Sequence, residues 1–147
     1  MYIDSMDQDK WGTPSCVYDP LNQEFKFTPG FDPCPIDWDE KTHPDGLAID
    51  WAPRTFVNPP YSKLRLWLKK ASEECEKGKL VVLVIPASTD SHAFHKYVVN
   101  KGHKVRFIRG RVRFVQPNGL QSARPHKRPS IIVIMEKDRS TTQNQDS

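Results

Sequence analysis

SKLRLWLKKASEECEKGKLVVLVI, residues 62 to 85, contains the change of hydrophobic period on which the fold turns. Leu64, Trp67, Leu68, Ala71 and Cys75 fall at i, i+3, i+4, i+7 and i+11, one face of an amphipathic helix. Ser62 stands where a side-chain cap would start that helix, and Gly78 where a glycine would end it. Leu80 to Ile85 then runs without a polar residue and without alternation. Such a β-branched run predicts a strand buried on both faces of a mostly parallel sheet.

Toward the carboxyl terminus, Ser88-Thr89-Asp90-Ser91 forms a cap cluster ahead of Ala93, Phe94, Tyr97 and Val98, which predicts a second helix stopping near Gly102. The period then changes to two. Val105 and Phe107, and later Val112 and Phe114, alternate with Arg106, Arg111 and Arg113, which predicts two strands bent at Arg109-Gly110. Ile131 to Met135 predicts a further buried strand. Toward the amino terminus, Thr55-Phe56-Val57 predicts a short strand, Ser15 to Leu21 a short helix and Glu24 to Phe31 another strand, although prolines crowd this part of the chain. The order of elements predicts an α/β fold with a minimal doubly wound sheet and flanking helices, in which active residues follow the carboxyl ends of strands. One domain is expected over residues 1–137, with 138–147, which lack any apolar residue, as a disordered tail.

Composition narrows the function classes. The longest apolar run is six residues, far short of the ~18 that span a bilayer, so no membrane partner is expected. No secretory signal pattern is visible at the start, so a cytoplasmic protein is expected. Cys16, Cys34 and Cys75 are too few and too widely spaced for a disulfide framework or a structural zinc site. His92 and His95, three apart on a helix, lack a third ligand, so no metal is expected. Residues 1–50 carry eleven acids against three bases, whereas Lys101 to Arg128 holds nine bases and no acid. That second segment is a candidate surface for a polyanion.

The chemistry concentrates in Asn58-Pro59-Pro60-Tyr61, between a strand and a helix. Two consecutive prolines fix φ twice and remove two N–H donors, leaving carbonyl oxygens displayed in a stiff turn. An amide before them and a phenol ring after them make a site for a planar group that carries an NH₂. A plain strand-to-helix turn is the bland alternative.

With these residues in view, the chain resembles the phage-encoded DNA N6-adenine methyltransferase family, whose catalytic motif Asn58 to Tyr61 looks like. Trp11-Gly12-Thr13-Pro14, Phe31-Asp32-Pro33-Cys34, Gly46-Leu47 with Trp51, Phe56 to Tyr61, Val84 to Ala87, Phe94-His95 and Gly110 to Phe114 occur in the family's order over roughly residues 11–135. The resemblance implies a Rossmann-like methyltransferase fold, S-adenosylmethionine as methyl donor, and duplex DNA as substrate with its target adenine flipped out. It also implies a bacterial host cell, with a phage or prophage origin. Asn58 and the Pro59 carbonyl would accept the two N–H bonds of the adenine amine, Pro60 would stiffen the turn and Tyr61 would stack on the base. Trp11, Thr13 and Pro14 would hold the methionine end of the cofactor, Asp32 would face its cationic groups, and Asp50 would contact its adenosine.

The glycines include no G-x-G, and Phe31 to Pro35 stands where many such enzymes have a glycine-rich loop. Arg109, Arg111, Arg113, Arg124, Lys127 and Arg128 are the candidate phosphate contacts, with target sequence read from the 116 to 129 loop. Cytosine N4, a protein glutamine amide, and a catalytically inactive DNA-binding relative remain alternatives, because the turn alone recognises only a planar NH₂ group.

Overall fold

The computed structural model describes residues 12–36, 38–115 and 129–137. Its centre is strand β2, Leu80–Pro86, every residue of which is buried. Strand β1, Arg54–Val57, lies parallel to it, with Val57 opposite Leu83. The helix that joins them, α2 (Leu64–Glu76), is the one its sequence period predicts and buries Trp67, Leu68, Ala71 and Cys75. Gly78, at φ 101°, ends the helix and donates its N–H to the Cys75 carbonyl at 2.9 Å. On the other side of β2 lies β4, Ser130–Met135, antiparallel, and beyond it β3, Lys104–Phe107, antiparallel to β4. The strand order is β1-β2-β4-β3.

Period-two side-chain direction divides the interior into two layers. Val81, Leu83, Ile85, Ile131 and Val133 face α2 and the next helical segment, α3 (His92–Phe94, continued as a π-helical turn His95–Val99), which contributes Phe94 and Val98. Leu80, Val82, Val84 and Ile134 face Leu21 of helix α1, Ser15–Phe25, together with Phe27, Val112 and Phe114. Apolar cover on both faces explains why β2 reads as a continuous run. Ser91 caps α3 as expected, its Oγ accepting from the Phe94 N–H at 3.1 Å.

Four expectations are corrected. The sheet is not mostly parallel: among the described residues it has one parallel pair and two antiparallel ones. No strand forms over Glu24 to Phe31, because α1 extends to Phe25 and then leaves through Lys26 in the left-handed region. Thr28 exchanges two bonds with Arg54, N–H to carbonyl at 2.8 Å and Oγ1 from N–H at 3.2 Å, before Pro29 and Gly30 turn the chain away. Asp32 therefore lies in a loop and not after a strand. Val112 to Phe114 keeps alternating burial, but it makes no ladder, only a bridge between Val115 and Gly12. Finally, Ser62 does not cap α2. A 3₁₀ turn over Tyr61–Lys63 precedes it, closed by Lys63 N–H to the Pro60 carbonyl at 3.2 Å. Residues 138–147, read as a tail, lie outside the described residues.

The pairing directions settle what surrounds the site. Because β1, β2 and β3 all point the same way, their carboxyl ends share one rim of the sheet. The segments after Val57, Pro86 and Phe107 therefore leave from that rim. No helix among the described residues is long and apolar enough to cross a membrane.

Candidate active site

Asn58-Pro59-Pro60-Tyr61 leaves β1 at this rim. Pro59 is buried, while Asn58, Pro60 and Tyr61 are half-buried. Pro60 is extended, at φ −66° and ψ 134°, and its carbonyl is engaged by Lys63 N–H. The Tyr61 ring meets Phe114 edge-on, with centroids 6.4 Å apart and planes at 86°. Phe114 is itself 1% exposed, so the tyrosine leans on a fixed partner. The segment after β3 thus returns across the rim to the Asn58 turn.

Beside Pro60 opens a cavity of about 370 Å³, within the range of roughly 300–1,000 Å³ typical of small-molecule sites. Pro33-Cys34-Pro35-Ile36 form one wall, Asp45-Gly46-Leu47 and Trp38 another, and Pro60, Lys63 and Trp67 a third. Most of the lining is apolar, with one carboxylate and one ammonium. Gly46 is required by contact: a Cβ there would stand 2.0 Å from the Pro33 carbonyl oxygen and 2.8 Å from the Trp67 ring. The loop 31–36 and the turn 45–47 therefore touch backbone to backbone. Within the first loop, the Asp32 carboxylate accepts from Cys34 N–H at 2.9 Å, which fixes its bend.

A buried carboxylate locks this wall from behind. Glu74 of α2 is fully buried and accepts from Trp51 N–H at 2.9 Å. Lys70, Lys77 and Lys79 approach it at 3.1, 2.8 and 3.0 Å, and Lys79 also donates to the Trp51 carbonyl. Burial raises the carboxyl pKa, but the hydrogen bonds from Lys77, Trp51, Lys79 and Lys70 outweigh it and hold Glu74 at about 2. Trp51 in turn donates Nε1–H to the Gly46 carbonyl at 2.8 Å and stacks on Trp67, centroids 6.1 Å apart. From Glu74 through Trp51 to Gly46, each link is a hydrogen bond shielded from water.

The candidate cofactor residues fall in different places. The hydroxyl oxygen of Thr13 is buried without a hydrogen-bond partner among the described residues. A buried unsatisfied hydroxyl costs free energy, and a bound polar group would relieve it. Pro14 is buried as the N-cap of α1. Gly12, next to Thr13, is bridged to Val115 and packs against Ile36 of the cavity wall. Thr13 is therefore attached to the same wall. Asp50 is exposed and paired with Lys77 at 3.0 Å, and that hydrogen bond lowers its carboxyl pKa. The acid in the cavity lining is Asp45, which the sequence reading left without a role. Trp11 lies outside the described residues.

Arg109, Arg111 and Arg113 are exposed at the rim, while Val112 and Phe114, which alternate with the last two, point inward. Arg106, one turn of the pattern earlier, is engaged bidentately by Glu24 of α1 at 2.7 and 2.6 Å. Arg124, Lys127 and Arg128 lie outside the described residues, as does most of the 116 to 129 loop. Among the described residues no group of three or more His, Cys, Asp and Glu is placed to hold a metal ion. His95 instead bonds the Thr89 carbonyl through Nε2 at 2.7 Å.

Phe114, Gly46, Trp67 and Lys63 are additions to the sequence-based site. Gly46 carried a signal, its place in Pro44-Asp45-Gly46 ahead of Trp51, but no periodicity could reveal how closely Pro33 approaches it. A search of curated proteins returns no match for this chain. A family profile described as DNA N-6-adenine-methyltransferase (Dam) matches it from residue 2 to residue 146. With a rigid Asn-Pro-Pro-Tyr turn at the strand ends and a match over essentially its whole length, the chain belongs to the DNA N-6-adenine-methyltransferase family.

Proposed function

We propose that this protein transfers a methyl group from S-adenosylmethionine to the N6 amine of a flipped-out adenine in DNA, on a minimal Rossmann-like sheet. The observation that carries this reading is the placement of Asn58 to Tyr61. The turn stands between a small-molecule cavity, which shares Pro60, and a ring seat built on Phe114. The buried Thr13 hydroxyl and the mainly apolar cavity with Asp45 and Lys63 suit a zwitterionic, adenosine-bearing cofactor with no phosphate. Pro33 and Pro35 in the cavity wall lack the N–H donors that a phosphate cradle needs. When bound, S-adenosylmethionine supplies an electrophilic methyl on a sulfonium.

The chain's own residues supply geometry. An adenine amine is a weak nucleophile because its lone pair is delocalised into the ring. The Asn58 side-chain oxygen and the Pro59 carbonyl accept its two N–H bonds, which turns the lone pair out of the ring plane toward the methyl. Since the Pro60 carbonyl closes the turn with Lys63 N–H, Pro59 is the proline carbonyl suited to that role. As positive charge develops on the nitrogen, the same two acceptors stabilise it. The amine then becomes strongly acidic and loses a proton to water, so no side chain of tuned pKa is needed. Tyr61, held by Phe114, stacks on the extruded base and offsets the few kcal/mol of unstacking.

The test separates chemistry from binding. Asn58→Ala and Tyr61→Ala should lower transfer of labelled methyl to duplex DNA by at least ~100-fold, in keeping with the loss of a preorganised transition-state contact. Both should still bind S-adenosylmethionine in a calorimeter, because neither side chain is needed to form the cavity. Wild-type transfer rates in both variants would overturn the assignment.

A further inference from the structure

Phe107, the last residue of β3, is 80% exposed. The residues opposite it in the sheet explain why this is unusual. Phe107 pairs with Ile131, and Ile131 with Ile85, both buried to 1% exposure. All three occupy one transverse row, yet the row ends in an uncovered aromatic ring. Val105, two residues earlier on the same face, packs against the core.

Its surroundings define what would cover it. Arg109 follows it at two residues, and Arg111 and Arg113 follow on the same rim, all exposed. From 101 to 128 there is no acidic residue. On the opposite face of β3, Arg106 is taken by Glu24 and lies over the Phe25 ring, with its guanidinium carbon 5.3 Å from the centroid. The strand's ion pair is thus turned away from Phe107. A second copy of this chain adding to the β3 edge would juxtapose like charges from Lys104, which edge strands use to prevent such pairing. A base stack flanked by phosphates instead covers the ring and complements the net positive charge of the rim. The rim also carries Asn58, and three inter-strand spacings of ~4.8 Å put β1 roughly 14 Å from β3, about four base-pair rises.

We infer that Phe107 is a DNA-contacting residue that stacks on a base near the target nucleotide while Arg109, Arg111 and Arg113 hold the adjoining phosphates. The inference rests on DNA being the substrate. It adds an apolar contact to an otherwise electrostatic surface, so its loss weakens binding without changing the number of phosphates engaged.

The experiment measures equilibrium binding of duplex DNA to the wild-type protein, Phe107→Ala and Phe107→Trp over a salt series. Phe107→Ala should raise Kd by roughly 5- to 150-fold at every salt concentration, the range for deleting one aromatic–base stack, with the slope of log K against log salt unchanged. Phe107→Trp should bind like wild type, and its emission should be quenched on binding. Wild-type affinity in Phe107→Ala, with the wild type itself binding DNA, overturns the inference and leaves the proposed function standing. Loss of a dimer in Phe107→Ala without loss of DNA affinity overturns it in favour of a second copy. Failure of the wild type to bind DNA overturns both readings.

Discussion

Two glycines mark the contrast between the cavity wall and the basic rim. A Cβ at Gly46 would collide with the Pro33 carbonyl and the Trp67 ring, whereas at Gly110 nothing stands within 4 Å. Gly110 is set by its backbone, at φ 80°, and Gly46 by its neighbours. The wall is a region whose shape is imposed from inside, through Trp51 and Glu74. The rim is shaped by local backbone conformation and left exposed, as a surface that meets a large charged partner should be. Rigidity and exposure are thus divided between the two sides of one Asn-Pro-Pro-Tyr turn.

The contrast can be broken most severely at the wall's lock. Glu74→Ala leaves Trp51 N–H without its buried acceptor and three lysines facing one another. Removing one partner from such a network costs about 3–5 kcal/mol, so a large drop in the denaturant midpoint is expected. The same lock predicts an acid sensitivity. Glu74 titrates at about 2 in the folded chain, below the ordinary 4.5. Its contribution is therefore complete above about pH 4.5 and is lost as pH falls from there toward 2. Thermal unfolding between pH 7 and pH 3 should show a smaller decline in Glu74→Gln than in the wild type, and equal declines would contradict the role given to this carboxylate.

A milder break is Gly46→Ala, for which overpacking against backbone costs about 1–3 kcal/mol. Because the displaced groups line the cavity, its affinity for S-adenosylmethionine should fall by more than its stability change alone explains. Calorimetric titration at a temperature where the variant is fully folded checks this. The smallest effect is expected at Gly110→Ala, where only the positive φ is penalised, by about 1 kcal/mol. Cofactor affinity should be unchanged there, and DNA affinity should fall modestly as Arg109 and Arg111 are re-aimed. If the two alanine variants behaved alike toward the cofactor, the division between wall and rim would not hold.

Much of this was legible in the sequence where one signal dominated. The period of Leu64 to Cys75 and the unbroken Leu80 to Ile85 defined α2 and β2, and the prolines of Asn58 to Tyr61 marked the turn. Signals that depend on a partner were not legible. Glu24 to Phe31 has the apolar content of a strand, but Pro29 and Gly30 end its contact with β1 after Thr28. Val112 to Phe114 alternates because one face meets the core, a pattern that burial alone produces without any ladder. Glu74 lies on the apolar stripe of α2, three residues after Ala71, but the three lysines and the Trp51 N–H that let a carboxylate be buried there come together only in the fold. Asp45 and Asp50 are both exposed, and what tells them apart is what folds against them, the cavity for one and Lys77 for the other.

The most direct test of the central claim is transfer of labelled methyl from S-adenosylmethionine to unmethylated duplex DNA, followed by digestion to nucleosides. N6-methyladenine as the labelled product, absent with Asn58→Ala, is the predicted result. Label recovered as N4-methylcytosine, or no label in DNA from a protein shown to bind the cofactor, would contradict it.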